Sequence, residues 1–353
     1  MKTEFRNVIG LMSGTSLDGI DLVFVQFDKS DISKFKILCA DTISYSKKWK
    51  ETLQKAISFS DKKLQKLDIE YGKLLANEIN HFIEKNQLKE IEFIASHGHT
   101  ILHQPENGIT LQIGNGKVIA DRTKQKVICD FRIQDVQLGG QGAPLVPIGD
   151  ELLFGNYDAC LNLGGFANVS FKKVNTRIAF DICPVNIVLN YYVNKLGFDY
   201  DDKGKIASKG NINNELLSEL NLLNFYKKEA PKSLGLEWVQ KNIFPIIDAY
   251  ELNIKDILRT FIEHIAIQIS KITTNKKNTF ITGGGVFNSF LIERLKSHTS
   301  SEIIVPNSEI INFKEALIFA FLGVLRVDNQ VNCLKSVTGA SKNHSSGKIF
   351  TSK

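Results

Sequence analysis

What this sequence lacks narrows its class first. Its five cysteines, Cys39, Cys129, Cys160, Cys183 and Cys333, are odd in number and widely spaced. With no C-x-x-C pair among them, a disulfide scaffold, a zinc knuckle and a dithiol redox motif are excluded, and reduced, mostly buried thiols in a cytoplasmic protein are expected. Long apolar runs are missing too: the longest, Ala316 to Leu325, is about half the ~20 residues of a bilayer span. The opening MKTEFRNVIGLMSGTS carries Glu4 and Arg6 where a secretory segment needs an apolar core, so neither export nor a membrane anchor is expected. Nor is there a strong surplus of one charge. Lys and Arg number 44 against 38 Asp and Glu, and the resulting +6 is scattered, too weak a field for a dedicated nucleic-acid surface. The remaining composition, 43% hydrophobic and 23% charged over 353 residues, excludes wholesale disorder and fits two domains.

Residues 7–12 and 20–27 read as strands joined by Ser13-Gly14-Thr15-Ser16-Leu17-Asp18-Gly19, a β-hairpin whose turn is rich in glycine and hydroxyls. A third β-rich run, 35–43, precedes helix-forming sequence over 47–85, where Leu64, Leu67, Tyr71, Leu74, Leu75 and Ile79 keep helical spacing. Short strands are expected at 92–96, 109–113, 118–119 and 127–129. The opening pattern then recurs: strand 158–163, the turn Gly164-Gly165-Phe166-Ala167-Asn168, and strand 169–173. Two glycine hairpins, each opening a run of strands and helices, predict an α/β protein of two duplicated halves. The glycine-dense stretch 137–144 marks an edge, so the halves are expected at 1–135, joined by the tail from about 337 to 353, and at 136–336. The second half continues with strand 177–180, helix 184–196 with Pro184 in its first turn, a polar loop over 199–210 and helix 255–273. Strand 279–282, helices 288–297 and 314–325, and a Ser/Lys/Gly-rich tail complete it.

Four groups of residues carry candidate chemistry. The turn Gly14, Thr15, Ser16, Leu17, Asp18, Gly19 offers backbone N–H groups, hydroxyls and one carboxylate, a combination that suits a phosphate with its magnesium ion; a plain hairpin turn is the alternative. It is neither a Walker A loop nor a dinucleotide fingerprint, because neither G-K-[ST] nor a helix follows. Asp181, at the end of a strand, is placed to take a proton from a hydroxyl or water, or else to cap the next helix. Gly283-Gly284-Gly285 between strand and helix, with Asn288 beyond, lets a flat ring or phosphate lie against backbone. His97-Gly98-His99 invites a metal reading, yet no acidic residue stands at a metal-type spacing, and a substrate-lining loop with Thr100 and Gln104 fits better.

Taken in order, GLMSGTSLDGIDLV, SHGHT, DFRIQDVQLGGQGAPLVP, LNLGGFANVS, FDICPVN, APKSLG and TGGGVFN resemble the anhydro-N-acetylmuramic acid kinase family, over residues from about Val8 to Ala340. The resemblance implies a duplicated actin-like ATPase (ribonuclease H-like) fold, shared with sugar kinases and heat-shock chaperone ATPases, with ATP held in an interdomain cleft. It also implies a cytoplasmic homodimer that uses ATP and Mg²⁺ to turn 1,6-anhydro-N-acetylmuramic acid and water into N-acetylmuramic acid 6-phosphate during cell-wall sugar recycling. Residue by residue, Gly14 to Gly19 match the first phosphate loop, with Asp18 near the magnesium, and Gly164, Gly165 and Asn168 match the second. Gly283, Gly284, Gly285 and Asn288 match the adenosine motif. Asp181 matches the catalytic base and Glu315 an acidic residue that helps position sugar and water, while His97, Thr100, Asp130, Arg132 and Lys232 are expected near sugar or phosphates.

The sequence also departs from that family. After Asp181 the usual T-G-P-G-N is Ile182-Cys183-Pro184-Val185-Asn186, H-G-Q-T is His97-Gly98-His99-Thr100, and a histidine usual after G-A-P-L-V-P is Asp150. Side chains at Cys183 and Val185 restrict backbone approach, which leaves a nucleotide-binding sensor without turnover as a rival reading. A metal-dependent hydrolase on His97 and His99 is a third.

Overall fold

In the computed structural model, which describes residues 4–14 and 16–352, apolar runs become strands buried on both faces, and amphipathic runs become the helices that cover them. Thr15, assigned to the first glycine turn, lies outside the described residues. The first sheet contains β1 (Phe5–Ser13), β2 (Ile20–Asp28), β3 (Phe35–Ile43), β4 (Ile91–Gln104), β5 (Ile109–Ile113) and β6 (Val127–Cys129). β1, β2 and β3 form an antiparallel meander, β4 lies parallel to β1, and β6 parallel to β4. The second sheet contains β7 (Ala159–Leu163), β8 (Phe166–Lys173), β9 (Thr176–Pro184), β10 (Asn278–Thr282) and β11 (Glu302–Ile304). Here β7, β8 and β9 form the meander, β10 lies parallel to β7, and β11 parallel to β10. The orders β6-β4-β1-β2-β3 and β11-β10-β7-β8-β9 are the same order used twice. The duplication expected from two glycine hairpins is thus present in the strand pairing itself.

Helix Asp61–Lys85 covers the first sheet with Leu64, Leu67, Tyr71, Leu75, Ile79 and Phe82, spaced three or four apart and all buried. Helix Ile254–Thr273 does the same for the second with Ile257, Leu258, Phe261, Ile265 and Ile269. Each such side chain contributes about 1.5–3 kcal/mol on leaving water. A third helix, Ser308–Val327, presses so closely on the first sheet that a Cβ at Gly10 of β1 would stand 2.2 Å from the Ala316 carbonyl oxygen. That contact fixes the height of Glu315, one residue earlier.

Two compact units result, one running to Leu153 and resuming at Phe313, the other Phe154–Asn312. These bounds differ from the expected 135/136 and 336/337 because the glycine-dense stretch is a tied loop, not a linker. Gly142 N–H donates to Asp135 at 2.7 Å and Gln141 N–H to the Thr338 carbonyl at 2.7 Å, both within the first unit. Several local readings are also corrected. Residues 118–119 belong to helix Gly116–Thr123, started by the Asn115 side chain, which accepts the Val118 N–H. The Ser/Lys/Gly-rich tail ends in a further strand, β12 (Lys348–Phe350), which pairs antiparallel with β6. β9 runs through Pro184, and the next helix is Asn186–Asn194. The five cysteines form no disulfide among the described residues, and there no helix is long and apolar enough to cross a membrane.

In the second unit, Glu263 of helix Ile254–Thr273 receives Arg259 at 2.7 Å, Arg294 at 2.9 Å and His298 at 2.5 Å. Burial alone would raise its pKa, but these three donors outweigh it and bring it down from 4.5 to about 2. A depressed carboxylate stabilises the fold above its unfolded pKa and loses that contribution as pH falls toward the folded value. Unfolding midpoints of Glu263→Gln are therefore expected to fall below wild type at pH 7 and to converge with it as pH drops from about 4.5 toward 2; a constant gap across that range would refute the role.

Candidate active site

The glycine turns follow the carboxyl ends of β1, β7 and β10, strands with parallel neighbours, where open α/β sheets leave room for ligands, whereas Asp181 sits in the antiparallel edge strand β9. In the first unit β1 ends at Ser13, and the glycine-bearing connection to β2 follows it. Leu17, at φ 60°, donates its N–H to the Gly14 carbonyl at 3.3 Å. Gly19 is required by packing, since a Cβ there would lie 2.8 Å from the Ile43 carbonyl oxygen. Ser16 and Asp18 are exposed. Beside them stands Asp21, which sequence reasoning missed. Burial raises its pKa, the Thr42 hydroxyl bond at 2.6 Å offsets part of that, and the charge of Asp18 raises it further. Beneath the turn, the buried Ser13 Oγ lies 2.5 Å from the Tyr45 hydroxyl, 2.9 Å from that of Tyr71 and 3.0 Å from His99 Nδ1.

The His97-Gly98-His99 segment is not a loop but part of β4. There Gly98, at φ 73°, makes a bulge that nothing larger fits, because a Cβ would lie 2.4 Å from the Ile113 carbonyl oxygen. His97 Nε2 accepts from Arg132 Nε at 2.9 Å, and its Nδ1 donates to the Gly98 carbonyl at 2.9 Å. Burial and then the Arg132 charge hold the His97 pKa well below 6.5, and burial lowers that of His99 to about 4, so both rings are neutral at physiological pH. Among the described residues neither histidine belongs to a metal-type cluster, which removes the basis for a hydrolase built on them. Arg132 also donates to the Gly142 carbonyl at 2.8 Å, and its pKa, lowered by burial to about 10, leaves it cationic.

The Arg132 charge acts on Glu315. Solvent reaches the Glu315 carboxylate, yet dense surroundings raise its pKa, with Arg132 and Lys314 opposing the rise and Asp21 adding to it. His97, Arg132, Glu315, Asp21 and Asp18 thus form one electrostatically linked group. Thr100 and Asp130 are tied elsewhere: Thr100 accepts from Gln112 at 3.4 Å, and Asp130, past the end of β6, pairs with Lys348 at 3.3 Å.

In the second unit Asp181 lies within β9, opposite Asn168 of β8, and the ladder slips there so that Ile182 is the extra residue of a bulge. The Asp181 N–H donates to the Lys232 carbonyl at 3.0 Å, and its Oδ2 accepts the Leu234 N–H at 2.8 Å. Oδ1 makes no hydrogen bond among the described residues. Burial raises the Asp181 pKa and the Leu234 bond opposes it. The helix-cap reading fails, because Val185 holds the N-cap position of the next helix and Asp181 bonds to a loop instead. The Lys232 ammonium lies 4.8 Å from the Phe225 ring centre and donates to the Phe225 carbonyl at 3.4 Å. Ile182, Cys183 and Val185 are packed in the apolar core of this unit.

The turn glycines divide by cause. Gly283, at φ 87°, backs onto Leu163 with a Cβ position 2.8 Å from its carbonyl, so the fold requires it. At Gly284 a Cβ would meet nothing within 4 Å, and at Gly165 only Ile187 at 3.9 Å. Packing does not explain these two. Asn288 is not in the first helical turn but at the N-cap of helix Ser289–His298, where its side chain accepts the Leu291 N–H at 3.0 Å. With Gly284, Gly285, Asn186, Tyr200 and Asp201 it lines a cavity of about 350 Å³.

A duplicated sheet of this order, with glycine turns at the ends of its parallel strands, defines the class of two-unit α/β folds shared by sugar kinases and actin-like ATPases. Within that class the chain belongs to the anhydro-N-acetylmuramic acid kinase family, whose model matches residues 6–352. Proteins of that name from Sulfurimonas denitrificans and Haemophilus influenzae are 32% and 34% identical to it, over 97% and 99% of this chain and 98% of each relative. Similarity to solved structures is looser, as with Plasmodium falciparum glycerol kinase with ADP, at a TM-score of 0.46 and 11% identity over 99% of this chain and 94% of that one.

Proposed function

We propose that this protein converts 1,6-anhydro-N-acetylmuramic acid, ATP and water to N-acetylmuramic acid 6-phosphate and ADP. The observation that carries the reading, in a chain that the family matches over residues 6–352, is Asp181: a half-buried carboxylate held by one oxygen, with its pKa raised by burial. Such a group takes a proton from water. The water oxygen then bonds to the anomeric carbon, the bond from that carbon to the ring-bridging 6-oxygen breaks, and the freed 6-oxygen attacks the γ-phosphorus as ADP leaves. Phosphoryl transfer asks mainly for positioning and charge neutralisation. Gly14 to Gly19, and Gly164, Gly165 and Asn168, are assigned to the phosphates, and Gly283 to Gly285 with the adjoining cavity to adenosine. Arg132 and Glu315, with His97 fixing the guanidinium, are assigned to sugar and water; Thr100 and Asp130 in the first unit and Lys232 in the second remain further candidates for sugar or phosphate contacts. Asp18 and Asp21 are hard oxygen donors that suit Mg²⁺, which would neutralise phosphate charge there.

The direct test measures ADP release with and without the anhydro sugar and identifies the product by mass spectrometry. Sugar-dependent ADP release with formation of the 6-phosphate is expected, and release that ignores the sugar would overturn the proposal. The glycines give a second test. Because Gly165 and Gly284 have room for a side chain in the protein alone, Gly165→Val and Gly284→Val are expected to keep their melting temperatures while ATP affinity, measured by calorimetry, falls about tenfold or more, roughly 1.4 kcal/mol. Unchanged affinity in both variants would defeat the assignment of these turns.

A further inference from the structure

Away from this site, the first unit buries three side chains of metal-ligating type: Asp135, Cys333 and His344, at 0%, 1% and 5% exposure. One ligand atom from each, a carboxylate oxygen, Sγ and an imidazole nitrogen, lies within 4.8 Å of the other two. The backbone sets this up. Cys333 and His344 face each other across an antiparallel bridge, with N–H···O bonds of 3.1 and 3.2 Å, so their side chains leave the same face. Asp135 is held in place from both oxygens, by the Gly142 N–H on Oδ2 at 2.7 Å and the Thr338 hydroxyl on Oδ1 at 2.7 Å.

The decisive atom is His344 Nε2. Nδ1 lies 3.2 Å from the Lys342 carbonyl, which only accepts, so Nδ1 carries the ring proton and Nε2 presents a lone pair. Nε2 is buried without a hydrogen bond. Asp135 Oδ1 lies 3.6 Å from it, too far for a hydrogen bond and itself an acceptor. Two acceptors facing each other in dry protein are costly unless a cation lies between them. A ring held through Nδ1 by a carbonyl is also how metal-bound histidines are oriented.

We propose that Asp135, Cys333 and His344 bind a zinc ion, with water as fourth ligand, that ties the carboxyl-terminal tail to the segment bearing Arg132. One oxygen, one nitrogen and one sulfur donor make a borderline-soft set that favours zinc over magnesium or calcium. Without metal the Cys333 thiol donates to Asp135 Oδ1 at 3.0 Å. On binding, that proton leaves to solvent and the Sγ–Zn bond takes its place. The Arg132 charge favours the thiolate, while burial and Asp135 oppose it. Because the ligands come from segments 198 residues apart, binding would add directly to the stability of the folded unit.

The full chain, stripped with a chelator and titrated with Co²⁺, is expected to take up one ion per molecule with a thiolate-to-cobalt charge-transfer band, which Zn²⁺ displaces while raising the melting temperature. Cys333→Ala and His344→Gln, checked for folding by circular dichroism, should lose the band and the thermal shift, whereas Cys183→Ala should keep both. Absence of stoichiometric uptake by the folded wild type, or a band that survives in Cys333→Ala, would overturn the site.

Discussion

Asparagine in place of Asp181 is expected to leave ATP and sugar binding close to normal and to lower turnover by roughly 10²-fold or more, the usual cost of removing a positioned base. The amide keeps the size of the side chain, and its oxygen can still accept the Leu234 N–H, so the bulge in β9 and the packing of Ile182 and Cys183 behind it should survive. What the amide cannot do is take a proton. The pH profile sharpens the test. Burial raises the Asp181 pKa above 3.8, and a base is lost as pH falls through its pKa, so the acid limb of kcat/KM should lie above that of an unperturbed aspartate. Asp181→Asn should remove that limb from whatever activity remains. Near-normal turnover in the variant, or an acid limb that persists unchanged, would show that the proton goes elsewhere.

What the sequence revealed and what it hid follow from the range of the interactions concerned. The two glycine hairpins were legible because turn chemistry is local, and two such turns were enough to expect a duplicated α/β fold. Asp181 was legible as a carboxylate near a strand end. Its true surroundings were not, because the Leu234 N–H that holds it comes from 53 residues away and the bulge at Ile182 depends on pairing with β8. His97-Gly98-His99 read as a loop because a glycine between polar residues looks like a turn; in β4 the positive φ of Gly98 makes a bulge that keeps the strand going. Residues 118–119 read as a strand because they are β-branched or apolar, but the capping side chain of Asn115 decides for helix. The Ser/Lys/Gly-rich tail carries no strand signal of its own. Its order comes from β12 pairing with β6 and from side chains such as Ser346, whose hydroxyl donates to the Phe131 carbonyl at 2.5 Å. Glycines at 165 and 284 were visible at once, whereas their cause, the absence of any packing reason, required the three-dimensional neighbours.

The largest effect on stability is expected from Lys314→Met. Lys314 and Asp150, far apart in sequence, meet in the first unit at 2.7 Å with side-chain exposures of 7% and 5%. The pair is a feature that composition alone could not announce. Taking two charges out of water is costly, and their attraction roughly offsets that cost only while both remain. Removing the cation leaves a buried carboxylate without it, a loss of about 3–5 kcal/mol, or on the order of 10 °C in melting temperature for a protein of this size. The double variant Lys314→Met with Asp150→Leu should recover most of the loss, because neither charge then remains buried. The pair also touches function. The Lys314 charge lowers the pKa of the adjacent Glu315, against the rise caused by its surroundings, so losing it should move the Glu315 pKa upward. If Glu315 acts as an ionised group, the acid limb of activity in both variants should therefore shift to higher pH, even where the double variant has regained its melting temperature. A single variant as stable as wild type would remove the ion pair from the account of the fold, and an unshifted limb in the stable double variant would remove Lys314 from the account of Glu315.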